Sequence, residues 1–217
     1  MGALLARLAA CAGDFELIIV DGASTDATRS IVREAAAAYP RPLSLIGTVC
    51  DRSAQLNRGA SAARGEALLF LHADVLPPPD AIVLIERALG DRAVIGGDFL
   101  LTFDGDSAWS AAFTWIHRVR RRFGVYYGDS GLFVRREVFV RLGGFRALPI
   151  MDDYEFIRRL ECAGRTICLP ATVHVSDRRW RVHGAWRTMW WWFWIQFLYS
   201  AGVSPRHLAG WYKPVRE

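Results

Sequence analysis

The sequence predicts an α/β fold in which a mainly parallel sheet is flanked by helices. Short apolar runs rich in Val, Ile or Leu, at residues 15–20, 43–49 and 67–71, alternate with segments that have helical spacing of apolar residues. Two of those helical segments are residues 24–39 and 53–64. Alternation at this spacing is typical of βα units, whose strands lie parallel because each helix crosses back over the sheet.

The rest of the chain continues this alternation. With 217 residues the chain is long enough to bury one full hydrophobic core. We therefore expect one α/β domain at residues 1–180 and a helical appendage at residues 181–217. Further strands are predicted at residues 94–103, 131–135 and 167–169, and further helices at residues 1–12, 80–89, 109–123, 136–142 and 153–163.

The appendage contains an aromatic, Trp-rich helix at residues 186–202. Five tryptophans fall between Trp186 and Trp194, and apolar residues fill most other places. A membrane-spanning helix needs about 20 apolar residues, and this run is shorter and includes Arg187 and Gln196, which disfavours spanning. Two alternatives stay open. The helix lies against an anionic membrane surface, or it packs against the rest of the chain or a partner subunit.

Charge and cysteine content restrict the partners and the compartment. The 27 basic residues outnumber the 22 acidic ones, so nucleic acid, an anionic membrane surface and a sugar nucleotide all fit the composition. The four cysteines show neither CxxC nor Cys/His spacing, which argues against a zinc site and a disulfide framework. No signal segment opens the sequence, so we expect a cytoplasmic protein, peripheral on the inner face of the membrane if the aromatic helix binds there.

One strand end has the features of a ligand site. The apolar run 67–71 leads directly into His72, Ala73 and Asp74. Ligands of open α/β sheets bind at the carboxyl ends of strands, which makes Asp74 a candidate. His72 and Asp74 share one face of an extended segment, and they suit a divalent cation, Mg²⁺ or Mn²⁺, if phosphate oxygens complete the ligands. We expect Asp74 to bind the metal and leave His72 open.

A second strand end lies at Asp21. A carboxylate in this place can accept hydrogen bonds from a base or a ribose, and the hydroxyl of Ser24 at the start of the next helix suits anionic groups. Ser24 can equally serve as a helix cap. Asp21 lies too early to cap the helix and is predicted to face the crevice.

An acidic cluster opens the predicted helix at residues 153–163. Asp152, Asp153 and Glu155 together exceed what the helix dipole favours. A general base that deprotonates a hydroxyl group is commonly Asp or Glu, so Asp152 and Asp153 are candidate catalytic residues. Two separate carboxylate clusters suit an enzyme that binds a metal-bound phosphate at one and deprotonates a second substrate at the other.

A basic segment precedes the aromatic helix. Arg178 and Arg179 can bind a diphosphate through bidentate guanidinium contacts, and Trp180 can stack on a sugar. A basic surface that approaches a membrane explains these residues equally well.

Seven stretches carry a family resemblance: residues 18–28 (IIVDGASTDAT), 52–65 (RSAQLNRGASAARG), 68–77 (LLFLHADVLP), 128–136 (GDSGLFVRR), 142–145 (LGGF), 150–160 (IMDDYEFIRRL) and 176–180 (SDRRW). In this order they resemble the family 2 glycosyltransferases of the GT-A fold, in particular a small bacterial subfamily associated with radical-SAM and selenium-linked genes. The resemblance implies a Rossmann-like sheet and transfer of a sugar from a UDP- or GDP-linked donor to an acceptor hydroxyl, with inversion and a divalent cation. It gives no reason to expect nucleic acid, and the aromatic helix suggests a lipid-like acceptor.

The resemblance also implies roles for donor-site residues. It implies that Asp21 contacts the nucleotide base and that Asp74 takes the metal and diphosphate role of the family's DxD motif. Arg52, Gln55 and Asn57 are implied to line the nucleotide pocket.

For the acceptor side, the resemblance implies that Asp153 is the catalytic base of an ED-type motif, with Gly128 and Asp129 near the acceptor. Two residues depart from the family pattern. His72 stands where most relatives have the first Asp of DxD, and Asp152 replaces the Glu of ED with a side chain one methylene shorter.

Relatives begin with a strand and a loop that holds the nucleotide, whereas this sequence begins inside the helix that follows. We therefore expect the first strand to be absent and the sheet to have an open edge or an incomplete nucleotide pocket. This expectation leaves an alternative function open, that of a nucleotide-binding or membrane-associated scaffold protein impaired in catalysis.

Overall fold

The structure, a computed structural model, describes residues 1–104, 107–175 and 184–211. Within these ranges helices and strands alternate along most of the chain. The strands are β1 (Leu17–Asp21), β2 (Leu43–Gly47), β3 (Ala67–Phe70), β4 (Val75–Leu76), β5 (Val94–Phe103), β6 (Leu132–Arg135) and β7 (Arg165–Val175). The helices are α1 (Gly2–Ala9), α2 (Thr28–Ala36), α3 (Arg52–Ala62), α4 (Ala81–Leu89), α5 (Ala108–Arg121), α6 (Arg136–Arg141), α7 (Asp152–Ala163), α8 (Ala185–Ser200) and α9 (Pro205–Trp211), with a 3₁₀ turn at Gly128–Ser130.

The strands form two sheets. β1 and β2 pair in parallel, and the other five strands form a mixed sheet in the order β3-β6-β5-β7-β4. Among the described strands of that sheet, only β5 and β7 pair in parallel, while β6 runs antiparallel to β3 and β5, and β4 antiparallel to β7. The predicted α/β class is confirmed. The predicted mainly parallel pairing is wrong for the larger sheet, because an apolar run predicts a strand but carries no information on its direction.

β1 and β3 each pair on one side only among the described residues. The two sheets are nevertheless tied together at the start of both strands, where the Glu16 carboxylate accepts hydrogen bonds from the N–H groups of Arg64 (2.6 Å) and Gly65 (3.2 Å). α3 also packs on β1, since a Cβ at Gly59 would lie 3.1 Å from Val20. Within the described residues, β1 and β3 therefore each keep one unpaired edge.

The core lies on both faces of the mixed sheet. One cluster joins β3 and β6 to α6 and α7, and the other joins β5 and β7 to α4 and α5. Two glycines allow the strands to approach closely, because a Cβ at Gly97 would lie 1.8 Å from the Ile167 carbonyl oxygen and one at Gly96 would lie 2.6 Å from that of Phe133. A larger residue at either position would push β5 away from a neighbour.

β7 is much longer than the predicted strand at residues 167–169. Leu169 lies opposite Phe99 and Thr172 opposite Leu100, so Pro170 and Ala171 are left out of register in a bulge. Proline has no N–H to donate, which explains why the ladder is interrupted there and resumes two residues later. The proline obscured this extension in the sequence, and the two-residue β4, which pairs with the end of β7, was also not predicted.

The aromatic helix α8 packs on the core with one of its faces. Trp192 stacks on Phe103 at a ring-centroid distance of 6.4 Å and meets Phe113 edge to face at 5.5 Å. Met189 and Ala185 pack against the same cluster. In the described parts of the chain, no helix is both long and apolar enough to cross a membrane. The domain boundary between residues 180 and 181 stays a prediction, because it falls within residues 176–183, which lie outside the described ranges.

His117 lies where α5 meets α8, among the rings of Phe103 (5.3 Å), Tyr127 (6.0 Å) and Trp192 (6.4 Å). Burial, with a smaller contribution from Arg120, lowers the pKa of its imidazole from 6.5 to about 4. The folded chain therefore holds His117 neutral at pH values where the unfolded chain is protonated.

This difference predicts an acid-dependent loss of stability. Above pH 6.5 the imidazole is neutral in both states and has no effect; as the pH falls toward 4, the unfolded state gains a proton that the folded state does not bind. The free energy of unfolding should fall by about 2 kcal/mol between pH 7 and pH 5 through His117 alone. Denaturant titrations of the wild type and of His117→Leu at pH 7 and pH 5 measure this change in the free energy of unfolding. Equal pH dependence in the two proteins would contradict the assignment.

Candidate active site

The candidate site lies where the end of β3, the start of α3, the 3₁₀ turn and the start of α7 come together. A Cβ built on Gly128 would lie 3.2 Å from both Asp153 Oδ2 and His72 Nε2, so these two side chains converge on the turn. Residues far apart in sequence thus meet at one point.

Arg52 connects the two adjacent carboxylates of α7. Its guanidinium donates from Nε to Asp152 Oδ1 (3.1 Å) and Oδ2 (3.0 Å), and Nη2 also contacts Asp152. The same Nη2 lies 3.0 Å from Asp153 Oδ1. The carboxylates are buried while the Arg52 side chain stays 40% exposed, so the guanidinium forms the solvent-facing side of the cluster.

Asp153 is held as an ionised carboxylate. Its Oδ2 accepts a hydrogen bond from the Gly128 N–H (2.9 Å) and its Oδ1 accepts one from the Tyr154 N–H (2.8 Å). Burial on its own raises the pKa of Asp153, but Arg52 and these two N–H groups bring the pKa below its ordinary value. The group is therefore ready to accept a proton without first losing one.

Asp129 differs from Asp153 in its surroundings. Its Oδ1 atom is buried and lacks a hydrogen-bond partner among the residues described. Burial, followed by the charge of Asp153, raises the pKa of Asp129 to about 7. A buried carboxylate oxygen without a partner is costly, and this one is free to bind a group that comes into the site from outside.

The structure allows a test of the predicted metal ligands. Asp74 is exposed in the turn after β3 and forms no hydrogen bond or salt bridge within the described ranges. Burial and the charge of Arg52 lower the pKa of His72, which keeps the imidazole neutral and able to bind a cation. Even so, the described residues contain no group of three acidic, His or Cys side chains disposed to hold a metal ion. These protein groups alone therefore do not make a complete metal site.

Asp21 and Gln55 meet at the end of β1. The buried Asp21 carboxylate accepts a hydrogen bond from the Ser24 N–H (3.2 Å) and lies 3.6 Å from Arg29 Nε. Asp21 therefore stabilises the turn that follows β1. This role was not expected from the sequence. Gln55 packs against Gly22, because a Cβ there would lie 1.6 Å from its Nε2. The exposed Ser24 is not a helix cap, since α2 begins only at Thr28.

Asn57 joins α3 to the backbone at Phe145. Its Nδ2 donates to the Phe145 carbonyl (2.8 Å), and its Oδ1 accepts from the Phe145 N–H (2.9 Å). Both ends of the amide are thus occupied by one backbone segment after α6. The amide thus holds α3 to that segment. The expectation that Asn57 lines a nucleotide pocket stays a prediction.

Three candidates, Arg178, Arg179 and Trp180, lie outside the described residues. Their predicted roles stay predictions.

Sequence reasoning missed the aromatic residues beside the cluster of Arg52, Asp152 and Asp153. Tyr127, directly before Gly128, packs on Tyr154 at 5.8 Å, and Tyr154 meets Tyr199 of α8 at 5.9 Å. The Tyr127 hydroxyl accepts from Arg120 (2.6 Å) and donates to Gln196 of α8 (2.6 Å). The sequence does contain one signal for these residues: Tyr127 directly precedes Gly128, and Tyr154 directly follows Asp153.

Backbone strain also marks the site. Ala23 and Met151 are non-glycine residues with positive φ, of 64° and 63°. Ala23 lies in the turn after Asp21, and Met151 directly precedes Asp152. Such conformations cost of order 1–3 kcal/mol each and cluster at functional sites.

Comparison with known proteins identifies the family of the chain. The profile of glycosyl transferase family 2 matches residues 2–148, about two thirds of the chain, and the chain belongs to this family. A PGL/p-HBAD biosynthesis glycosyltransferase of Mycobacterium bovis is 28% identical over 170 residues, covering 75% of this chain and 64% of the relative. An undecaprenyl-phosphate 4-deoxy-4-formamido-L-arabinose transferase of Aeromonas hydrophila is 30% identical over 145 residues, covering 61% of this chain and 43% of the relative.

Solved structures agree as well. The mannosyltransferase PcManGT from Pyrobaculum calidifontis, in complex with GDP-Man and Mn²⁺, has a TM-score of 0.56 and 26% identity, covering 73% of this chain and 47% of that one. S. aureus TarS 1-349 in complex with UDP has a TM-score of 0.61 and 17% identity, covering 80% and 55%. The fold is thus that of the GT-A glycosyltransferases. The chain spans from about two fifths to two thirds of the lengths of these proteins.

The geometry of Asn57 predicts a structural effect of its removal. Asn57→Ala leaves two Phe145 backbone groups without their partner, which should lower the free energy of unfolding by about 2 kcal/mol. Ser61→Ala, an exposed position on the same helix, is the control and should change stability by less than about 0.5 kcal/mol. Chemical denaturation compares them; equal stabilities of the two variants would contradict the role given to Asn57.

Proposed function

We propose that the chain is a glycosyltransferase that moves a sugar from a UDP- or GDP-linked donor to an acceptor hydroxyl group. The observation that carries the proposal is the buried, ionised Asp153, held by Arg52 and by the Gly128 N–H beside an open strand end. Membership of glycosyl transferase family 2 supports the reaction class. The particular subfamily, with its associated genes, and the hexose character of the donor sugar stay predictions.

The donor is proposed to bind across the ends of β1 and β3. Asp21 and Gln55 adjoin the turn that follows β1, where they could contact the base or ribose, with Ser24 nearby. The exposed Arg52 edge faces solvent and could contact the donor phosphates. Arg178 and Arg179 would bind the negatively charged diphosphate through their guanidinium groups, and Trp180 would stack on a sugar.

The proposed chemistry is one displacement with inversion. The acceptor oxygen attacks the anomeric carbon while the bond from that carbon to the diphosphate oxygen breaks. Asp153 takes the hydroxyl proton, and the nucleoside diphosphate leaves with the bonding electron pair. Asp152 would keep Arg52 in place, so the cluster supplies both a base and a fixed positive charge.

The side chains at the site supply only part of the ligands that a divalent cation, Mg²⁺ or Mn²⁺, needs. Asp74, with His72 or Asp129 nearby, offers hard oxygen and neutral nitrogen ligands, and oxygens of the donor diphosphate would have to complete the ligands. When bound, the cation would offset charge on the departing diphosphate. The solved relative from Pyrobaculum calidifontis contains Mn²⁺ with its GDP-linked donor, which supports this choice.

The acceptor is proposed to lie against Gly128 and Asp129. Asp129 Oδ1, buried and without a partner among the described residues, could accept a hydrogen bond from it. A lipid-like acceptor is supported by the name of the Aeromonas relative, which includes undecaprenyl phosphate. Such an acceptor would place the reaction at the cytoplasmic face of a membrane.

The role of Asp153 predicts a separation of binding from catalysis. Asp153→Asn keeps the shape of the site but removes the base, so turnover should fall about 10² to 10⁴-fold while donor affinity changes little. Nucleoside diphosphate release from UDP-N-acetylglucosamine and GDP-mannose gives the rate, and calorimetry gives the affinity. Asp91→Asn, an exposed carboxylate paired with Arg165, is the control. Parallel loss of affinity and turnover would mean that Asp153 binds the donor or supports the fold.

The role of Asp74 predicts metal-dependent nucleotide binding. Calorimetric titration of UDP and GDP, each with and without Mn²⁺, should show tighter binding with the metal for one nucleotide. Asp74→Ala should abolish that difference because it removes the exposed carboxylate ligand. Metal-dependent binding that survives Asp74→Ala would contradict the role of Asp74 as a metal ligand. The same titration shows whether the donor site prefers uracil or guanine.

A further inference from the structure

α8 has an outward face that core packing does not explain. Trp186, Trp190, Phe193 and Phe197 repeat at intervals of four, three and four residues, which places them on one side of the helix. Their exposed fractions are 62%, 52%, 58% and 53%. We name these four residues the aromatic face. The opposite side, with Trp192 and Ile195, is the one that packs on the core.

The aromatic face continues onto α5. Trp109, itself 42% exposed, meets Trp186 at a ring-centroid distance of 6.3 Å. Full burial of one large apolar side chain stabilises by about 1.5–3 kcal/mol, so a patch of this size in water is costly. Patches of this kind mark interaction sites.

The charge of the two segments that carry the patch indicates what covers it. Residues 107–127 and 184–211 contain no Asp or Glu. They do carry exposed arginines, which are Arg118 and Arg122 near the end of α5, Arg187 in α8 and Arg206 in α9. A second copy docking through the same face would bring like charges together, whereas an anionic lipid surface would attract them. Tryptophan favours the headgroup level of a bilayer, and Arg187 can reach phosphates from there.

We propose that the aromatic face of α8, with the adjoining side of α5, is a docking surface for an anionic phospholipid bilayer. The helix lies in the plane of the headgroups with the aromatic rings inserted and the arginines on lipid phosphates. This inference rests on exposure and charge, and it stands whether or not the chain transfers sugars.

The surface has a direct connection to the candidate site. Gln196 on the inner side of α8 accepts a hydrogen bond from the hydroxyl of Tyr127, which adjoins Gly128, and Tyr199 contacts Tyr154, which adjoins Asp153. A bilayer bound to the outer side of α8 would therefore lie one helix away from the acceptor position. If the proposed transfer occurs, a lipid-like acceptor could enter from that side.

Vesicle binding by the full chain tests the proposal without any nucleotide or sugar. Co-sedimentation should show strong partitioning to phosphatidylcholine vesicles that contain phosphatidylglycerol, weak partitioning to phosphatidylcholine alone, and weakening by salt. Trp190→Ser combined with Phe193→Ser should lower the partition coefficient at least about tenfold. Arg187→Glu should lower it about fivefold or more.

α6 offers matched controls, because it packs on the opposite cluster of the core. Val140 is 68% exposed and Arg141 is exposed beside it. Val140→Ser and Arg141→Glu should leave partitioning unchanged. Quenching of tryptophan fluorescence by brominated phosphatidylglycerol gives a second reading on the wild type alone, and near-ultraviolet circular dichroism checks that each variant is folded.

Three outcomes would overturn the proposal. One is no partitioning of the wild type to anionic vesicles and no quenching by the brominated lipid. Another is equal loss of partitioning in the α6 controls. The third is a dimer, detected by light scattering, that disappears in the Trp190 and Phe193 variant while vesicle binding is absent, which would mean that a second copy covers the aromatic face.

Discussion

The bond between Arg52 and the two carboxylates at the start of α7 is the interaction on which the rest of the site depends. α3 packs on β1 and carries Arg52, whereas α7 belongs to the mixed sheet and carries Asp152 and Asp153. One guanidinium thus joins the two sheets at the point where the chemistry is proposed. Two adjacent buried carboxylates would repel each other and lose hydration, and only a fixed positive charge together with N–H donors makes that arrangement tolerable.

The same bond explains why neighbouring acidic residues behave differently. Asp153 has Arg52 at 3.0 Å and two backbone N–H donors and is held ionised, whereas burial and the charge of Asp153 raise the pKa of Asp129 to about 7 although Arg52 acts in the opposite direction. A carboxylate that is ionised suits proton removal, and an oxygen without a partner suits contact with an incoming group. The strained backbone at Met151 is consistent with this, since it sets the direction in which α7 presents its first residues.

The sequence predicted most elements, because apolar periodicity reports burial, and it identified the acidic cluster and the strand-end Asp74. The predicted parallel direction was wrong for most of the larger sheet, since the apolar pattern of β6 is compatible with either direction. The roles of Asn57 and Asp21 in holding backbone segments could not be predicted, because each depends on a contact formed in three dimensions. Arg52 was reached only through the family resemblance; its partners lie 100 residues away, and no local pattern links them.

The central claim is that this cluster of Arg52, Asp153 and the Gly128 turn transfers a sugar from a nucleotide donor. The most direct measurement is to incubate the full chain, Mn²⁺ and a bacterial lipid extract with UDP-N-acetylglucosamine or GDP-mannose labelled in the sugar. The account predicts that label moves from one donor into an organic-soluble product and that nucleoside diphosphate appears in equal amount. A folded chain that neither binds nor consumes either donor would contradict it and favour a glycosyltransferase domain that has lost catalysis.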